Sequence, residues 1–123
     1  TTTNKLVFGC KTTPIPGDVA IIGIQSFTAN TGLKEIVIPE GVTTIEDFAF
    51  EGCTSLKEIN IENIHEIESR GFENCSSLEI TRTGGFYGMS TVGPRAFKNC
   101  DSIKEILVKV FYSNTTKIMA NSI

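Results

Sequence analysis

The sequence predicts a β-rich α/β solenoid. It is read as a right-handed superhelix of about four rungs, with a parallel sheet on one face and short helical or 3₁₀ turns and short strands elsewhere. Three observations lead there. The segment Phe50-Glu51-Gly52-Cys53-Thr54-Ser55-Leu56 recurs as Phe27-Thr28-Ala29-Asn30-Thr31-Gly32-Leu33, as Phe72-Glu73-Asn74-Cys75-Ser76-Ser77-Leu78 and as Phe97-Lys98-Asn99-Cys100-Asp101-Ser102-Ile103. The Phe-to-Phe steps are 23, 22 and 25 residues, a period that belongs to stacked repeats, each adding one rung to a shared core. Between the copies, Ile59 and Ile61 alternate with Glu58, Asn60 and Glu62, the period of a strand with one buried face.

Taken in order, Leu6-Val7-Phe8 reads as a short strand or cap. Cys10 to Val19 then aligns, at a shift of 23, with Leu33 to Val42, so the solenoid begins before the first Phe copy and Cys10 occupies a core Leu slot. In the next rung Ile36 and Ile38 alternate with Glu35, Val37 and Pro39, and Pro39 ends the strand because it has no donor for a ladder. Further short β segments are expected near Val19–Ile22, Val42–Ile45 and Ile64–Ile67. The Phe-x-x-Cys arc is too short for a regular helix and is expected to make a single helical or 3₁₀ turn. The residue before each Phe is small (Ser26, Ala49, Gly71, Ala96), which suits a crowded bend and an internal column of stacked phenylalanines. After Leu78 the pattern loosens: Leu78 to Val92 takes 14 steps, against 12 from Leu33 to Ile45 and 11 from Leu56 to Ile67. Gly84, Gly85 and Gly88 around Phe86 and Tyr87 describe a bulging loop. The fourth rung resumes with Val92, Phe97, Ile103, Ile106 and Val108. The 123 residues make one domain: 1–18 a cap and half rung, 19–108 repeats, and 109–123 a C-terminal cap or truncated repeat.

Composition narrows the function. A net charge of −3 argues against nucleic acid, whose phosphates call for clustered Lys and Arg, and no apolar run reaches the length of a membrane span. The chain starts at Thr1 without Met or a signal segment, as a processed or excised piece would. Cys53, Cys75 and Cys100 share one slot of the repeat, filled by Asn30 in the first copy. That slot asks for a small hydrogen-bonding group, so unbridged thiols are expected there. Stacked cysteines point the same way, whereas a disulfide needs vectors turned toward each other. No Cys-x-x-Cys occurs and His65 is the one histidine, so neither metal, cofactor nor catalytic residues are assigned. His65 is read as a surface residue on a short β segment. Asn74-Cys75-Ser76 and Asn114-Thr115-Thr116 match a glycosylation sequon; the first falls inside the repeat and is taken as coincidence.

The unit Leu-x-x-Ile-x-Ile-Pro-x-x-Val-x-x-Ile-x-x-x-Ala-Phe-x-x-Cys-x-x-Leu resembles the BspA-like class of leucine-rich repeat. The match runs over roughly residues 10–108, closest at Leu33–Leu56 and Leu56–Leu78 and loosest across 79–92. Where the common leucine-rich repeat carries Asn or Cys, this chain has Val42, and its polar slot sits at Cys53. The resemblance implies an extracellular or cell-surface protein of host-associated bacteria or of protists. It also implies adhesion or protein binding, often as one module of a longer chain, and it brings no active site.

The function expected is therefore a non-enzymatic module that binds a host, matrix or neighbouring protein. The alternative is a structural spacer or ancillary domain of a larger secreted enzyme. In a leucine-rich repeat the parallel sheet offers its outward residues as a platform, which the period of two identifies as Glu35, Val37, Glu58, Asn60, Glu62, Glu105, Leu107 and Lys109. Phe86 and Tyr87 are either interface anchors overhanging that face or a plug over the weak third strand. Lys11, Lys34, Lys57 and Lys104 form a column beside Glu35, Glu58, Glu79 and Glu105, readable as solvated ion pairs or as a charged rim on the binding face.

Overall fold

The repeat period becomes a stack of parallel strands. The computed structural model describes residues 5–6, 15–60, 63–79 and 90–103 and the backbone of 117–118. Its strands are two residues long: β1 (Lys5–Leu6), β2 (Ile21–Ile22), β3 (Glu35–Ile36), β4 (Thr44–Ile45), β5 (Glu58–Ile59), β6 (Glu66–Ile67), β7 (Thr91–Val92) and β8 (Lys117–Ile118). A six-stranded sheet runs β1-β2-β4-β6-β7-β8, and a second sheet pairs β3 with β5. Every pairing is parallel, and Ile22, Ile45, Ile67 and Val92 stand in one register column. Each rung passes from the long sheet through the Phe arc to the short sheet. It returns through a turn, closed in the first two rungs by Val19 N–H to Pro16 O and Val42 N–H to Pro39 O, both 3.1 Å.

The balance between the sheets differs from the sequence expectation. The segments read as accessory strands build the longer sheet. Among the described residues the Leu-x-x-Ile strands pair as β3 with β5, continued by an isolated parallel bridge from Glu58 to Glu79. The β3–β5 ladder ends at Ile36: beyond it the chain meets Pro39, and both backbone groups of Ile38 are taken by a side chain, described below. The strands expected around Ile106 and Val108 lie outside the described residues.

The arc is the unit that repeats most strictly. In the first rung Ser26 N–H bonds Gly23 O, Thr28 N–H bonds Gln25 O, Asn30 N–H bonds Phe27 O and Leu33 N–H bonds Asn30 O, all at 3.1–3.2 Å. These i→i+3 bonds close successive β-turns rather than the expected helical or 3₁₀ turn, because Gln25 and Ala29 take a left-handed φ that a 3₁₀ helix excludes, and the other arcs reproduce them. They do not run on into a helix, because alternate N–H groups leave the rung. Those of Gln25, Phe27 and Ala29 donate to Asp47, Ala49 and Glu51 of the next rung, and those of Phe48, Phe50 and Gly52 to Ser69, Gly71 and Glu73. Arg70, Phe72 and Asn74 donate likewise to Pro94, Ala96 and Lys98, the nine bonds spanning 2.6–3.0 Å. Two residues per arc take the left-handed conformation so that the chain can turn while keeping this alternation. They are Gln25, Phe48, Arg70 and Arg95 two before each Phe, and Ala29, Gly52, Asn74 and Asn99 two after it, with φ of 57–75°.

The core follows from this pitch. Phe27, Phe50, Phe72 and Phe97 are buried and stack in order, with centroids 5.0, 5.1 and 5.3 Å apart and planes within 7°. Burying each ring is worth about 1.5–3 kcal/mol. The small slot before each Phe is fully enclosed; at Gly71 even a Cβ would lie 2.7 Å from the Ile67 Cγ2. Ser26 puts a hydroxyl there that finds no partner among the described residues.

The thiol column is free and buried. Cys53, Cys75 and Cys100 donate Sγ–H to the carbonyls of Phe27, Phe50 and Phe72 at 3.1, 3.1 and 3.0 Å. Each thus bonds the Phe of the preceding rung, while its own N–H bonds the Phe of its own rung. Cys10 lies outside the described residues. Burial pushes the Cys53 thiol up to about 11. Cys75 is also raised, first by the neighbouring Cys100 thiol and then by burial.

Two outcomes follow. Because the Cys53 thiol binds its proton more tightly in the folded chain, stability should fall as pH rises from the ordinary thiol range towards about 11. Denaturant midpoints measured at successive pH values check this; Cys53→Ala should show a shallower fall over the same range, the remainder belonging to Cys75, whose thiol is raised as well. Ala29 holds φ 57° in a slot where the next rung has Gly52. Left-handed backbone costs a residue with a Cβ roughly 1–2 kcal/mol, so Ala29→Gly should stabilise the fold by about 1 kcal/mol, read as a higher denaturant midpoint at constant slope.

Candidate protein-binding face

The short sheet presents part of the platform read from the sequence. Glu35 and Glu58 are exposed and sit in direct register, Cα opposite Cα, and the bridge brings Glu79 into the same column. Val37 is 78% exposed, the most exposed large apolar side chain among the described residues. Lys34 and Lys57 are exposed as well, and the Lys57 N–H donates to Lys34 O at 2.8 Å. Among the described residues no ion pair joins Lys34 or Lys57 to Glu35, Glu58 or Glu79. Among the described residues, pairs join Lys5 to Glu46 and Glu73 to Arg70 and Arg95, none of them on this face. Consecutive residues of an extended segment point apart, which keeps Lys34 from Glu35 and Lys57 from Glu58. Glu62, Phe86, Tyr87, Glu105, Leu107 and Lys109 lie outside the described residues.

Asn60 is present on this face but is already engaged. Its Oδ1 accepts the Ile38 N–H at 2.7 Å and its Nδ2 donates to Ile38 O at 2.8 Å. The amide therefore does for Ile38 what a neighbouring strand would do. Because Ile38 is 3% exposed, its backbone groups have no water to turn to. Asn60 is a support of the platform more than a contact on it.

His65 is exposed, as read from the sequence, and its backbone has a structural role. Its N–H donates to Thr43 O at 2.8 Å, while its carbonyl accepts from Ser90 N–H and Oγ and from Thr91 N–H at 2.8–3.2 Å. No group of three or more potential ligands could hold a metal ion among the described residues.

A second cluster, on the arc wall, was not singled out from the sequence. Glu73 is 4% exposed. It receives Arg95 through Nη2 at 2.6 Å and Nε at 3.1 Å, and Arg70 Nε lies 3.5 Å from it. The Arg70 guanidinium sits 5.3 Å from the centroid of the Phe48 ring, within reach of a cation–π contact. The repeat register does place Phe48, Arg70 and Arg95 in one slot, but nothing in the order of residues marks Glu73 as buried.

Removing the Asn60 amide would leave two enclosed backbone groups of Ile38 unpaired, at about 1–3 kcal/mol for an unsatisfied group. Asn60→Ala should lower stability by that order. Asn60→Asp, which keeps the acceptor and loses the donor, should fall between. Urea unfolding of the three proteins checks the order.

Comparison with known proteins now bears on this geometry. The family model for the BspA type leucine rich repeat region matches residues 7–122 in six copies. A leucine-rich repeat protein of Bacteroides ovatus ATCC 8483 has a similar structure, with a TM-score of 0.63 at 26% identity, over 80% of this chain and 27% of that one. The T. pallidum leucine rich repeat protein gives 0.59 at 26% identity, over 69% of this chain and 39% of its own. One from Bacteroides capillosus ATCC 29799 gives 0.50 at 26% identity, over 54% and 55%. The chain thus spans from about a quarter to just over half the length of these proteins. Comparison with curated proteins gives no match. No helix among the described residues is long and apolar enough to cross a membrane. Parallel rungs, stacked phenylalanines and the matched repeats agree: the chain belongs to the BspA-type leucine-rich repeat family.

Proposed function

We propose that the chain is a non-enzymatic protein-interaction module, extracellular or on the cell surface, that adheres to a host, matrix or neighbouring protein. The observation that carries this reading is the face of the short sheet, where exposed Glu35, Glu58 and Glu79 stand in one column beside Val37. Beneath them β3 pairs with β5 and Asn60 takes the backbone of Ile38, and the exposed side chains are left to recognise a partner. Mixed charge around one apolar residue suits a protein surface. By the period of the sequence Glu62, Glu105, Leu107 and Lys109 belong to the same face, and Phe86 and Tyr87 are proposed as its aromatic anchors.

The experiment is a pull-down from extracellular-matrix and plasma proteins, followed by affinity measurement for the captured ligand. Both Glu35→Lys with Glu58→Lys and Phe86→Ala with Tyr87→Ala should weaken binding by more than about 1–2 kcal/mol, with thermal midpoints nearly unchanged. If the aromatic double variant binds normally, the loop is a plug for an irregular rung. If it unfolds, the aromatics belong to the core. If the charge-reversed protein binds normally, the face is not the site.

A further inference from the structure

We propose that two copies of this chain exchange β1, so that the edge of β2 and the Glu46 carboxylate, filled within one chain by β1, take the same strand from a second copy. The site lies on the long sheet and does not depend on the face above.

The rung of β1 is the one held least. Leu6 stands opposite Ile22, and Ile15 aligns with Ile38, so this rung has nine steps where the next has 16. That leaves no room in the sequence for a Phe-x-x-Cys arc. The carbonyls of Asp47, Ala49 and Glu51 each receive an N–H from the arc before them, whereas among the described residues those of Ile24, Ser26 and Thr28 receive none. Among those residues β1 is kept by its two-residue ladder with β2, by the Gly23 N–H to Leu6 O at 2.7 Å and by Lys5. Leu6 is half-buried, while Ile22, Ile45, Ile67 and Val92 in its column are fully enclosed. A strand with so few buried contacts opens at a lower free energy than the rungs it covers.

The edge beneath it selects its occupant. Gly23 forms the floor: a Cβ there would collide with Leu6 O and stand 3.2 Å from the Lys5 Cγ and Cδ. With no side chain in the way, the lysine crosses the rung of β2 to that of β4, where Nζ meets the two Glu46 oxygens at 2.9 and 3.1 Å. The Glu46 side chain is only 15% exposed, and more acid surrounds it. Burial and then Asp47, Glu46 and Glu66 raise the Glu68 carboxyl above its usual range, and Lys5 counters them. An occupant must thus bring extended backbone parallel to β2, a carbonyl for the Gly23 N–H, an apolar side chain towards the core and a cation within reach of Glu46. β1 supplies all four through Lys5 and Leu6, and every other copy of the chain carries it. Exchange of an identical element between copies needs no new complementarity. It competes with closure inside one chain, whose effective concentration is of about millimolar order for a short link. Nucleic acid and anionic membranes are repelled by the same carboxylates.

The test reverses the ion pair. Lys5→Glu and Glu46→Lys each bring like charges together when β1 closes on its own chain. In a one-to-one mixture the strand of each meets an opposite charge on the other. The mixture at about 1 mM should form a mixed dimer in sedimentation, and neither variant alone should. Hydrogen exchange read by NMR then locates the contact. The Gly23 and Glu68 N–H groups share one slot and donate to Leu6 O and Ile45 O at 2.7 and 2.9 Å, so Glu68 is the internal control. In each variant alone Gly23 should be at least about tenfold less protected than Glu68. Mixing should raise Gly23 protection by about threefold or more and leave Glu68 unchanged. The proposal is overturned if no mixed dimer forms, if one forms while Gly23 stays unprotected, or if either variant alone dimerises to the same extent. Should a variant lose its dispersed spectrum, the unaltered protein at about 5 mM, half of it isotope-labelled, decides instead. Magnetisation transfer between Leu6 of one copy and Ile22 of another is then required, and its absence refutes the proposal.

Discussion

The rest of the structure depends on the hydrogen bonds that leave each arc for the next rung. Three N–H groups per arc donate along the solenoid axis, at 2.6–3.0 Å. They hold neighbouring arcs at strand spacing even where the chain is turning. A net gain of about 0.5–1.5 kcal/mol per bond is of the same order as the left-handed backbone it requires. The arc is therefore not stable alone; it is stable when the next arc receives its donors. That is the physical meaning of a repeat protein whose rungs form only together.

Once that spacing is set, every slot becomes a column, and each slot is tested by its own nearest copy. Phenylalanine succeeds because flat rings at about 5 Å meet face to face. Cysteine succeeds because a thiol at this pitch reaches the Phe carbonyl of the preceding rung, satisfying a second lone pair that the turn leaves over. Burial raises the Cys53 thiol, and the neighbouring Cys100 thiol together with burial raises that of Cys75, which keeps both out of the reactive range. The small slot has no room for choice, and Ser26 shows its tolerance limit: the hydroxyl fits but finds no partner.

What could be read from the order of residues was whatever repeats. The Phe column, the small slot, the shared cysteine slot and the period-two strands were all legible, because each recurs with the same chemistry. Three features were not. The left-handed slots hold Gln25, Phe48, Arg70 and Arg95 on one side, residues with no turn signature, and only Gly52, Asn74 and Asn99 hint at the other. The pairing of Ile38 beyond the β3–β5 ladder comes from Asn60 reaching back to it, a contact seen once among the described residues and so invisible to periodicity. Glu73 is buried by two arginines from different rungs, and no pattern within one repeat contains both. On the candidate face, Glu35, Val37 and Glu58 were placed outward correctly, whereas Asn60 turned inward to support the backbone.

The two charged columns show how differently a solenoid can treat like charges brought into register. Arg70 and Arg95 would repel across one rung, and Glu73 enters from a neighbouring slot to sit between them. The repulsion is converted into a fixed arrangement. Glu35, Glu58 and Glu79 repel in the same way, yet among the described residues they form no ion pair, and Lys34 and Lys57 diverge from them. Water and salt screen such a column, which limits its cost but does not make it favourable. Packing gives no reason for it, since the side chains are exposed and touch no core. A repeated acidic column beside an exposed valine thus adds nothing to packing, and the proposed function rests on it for that reason.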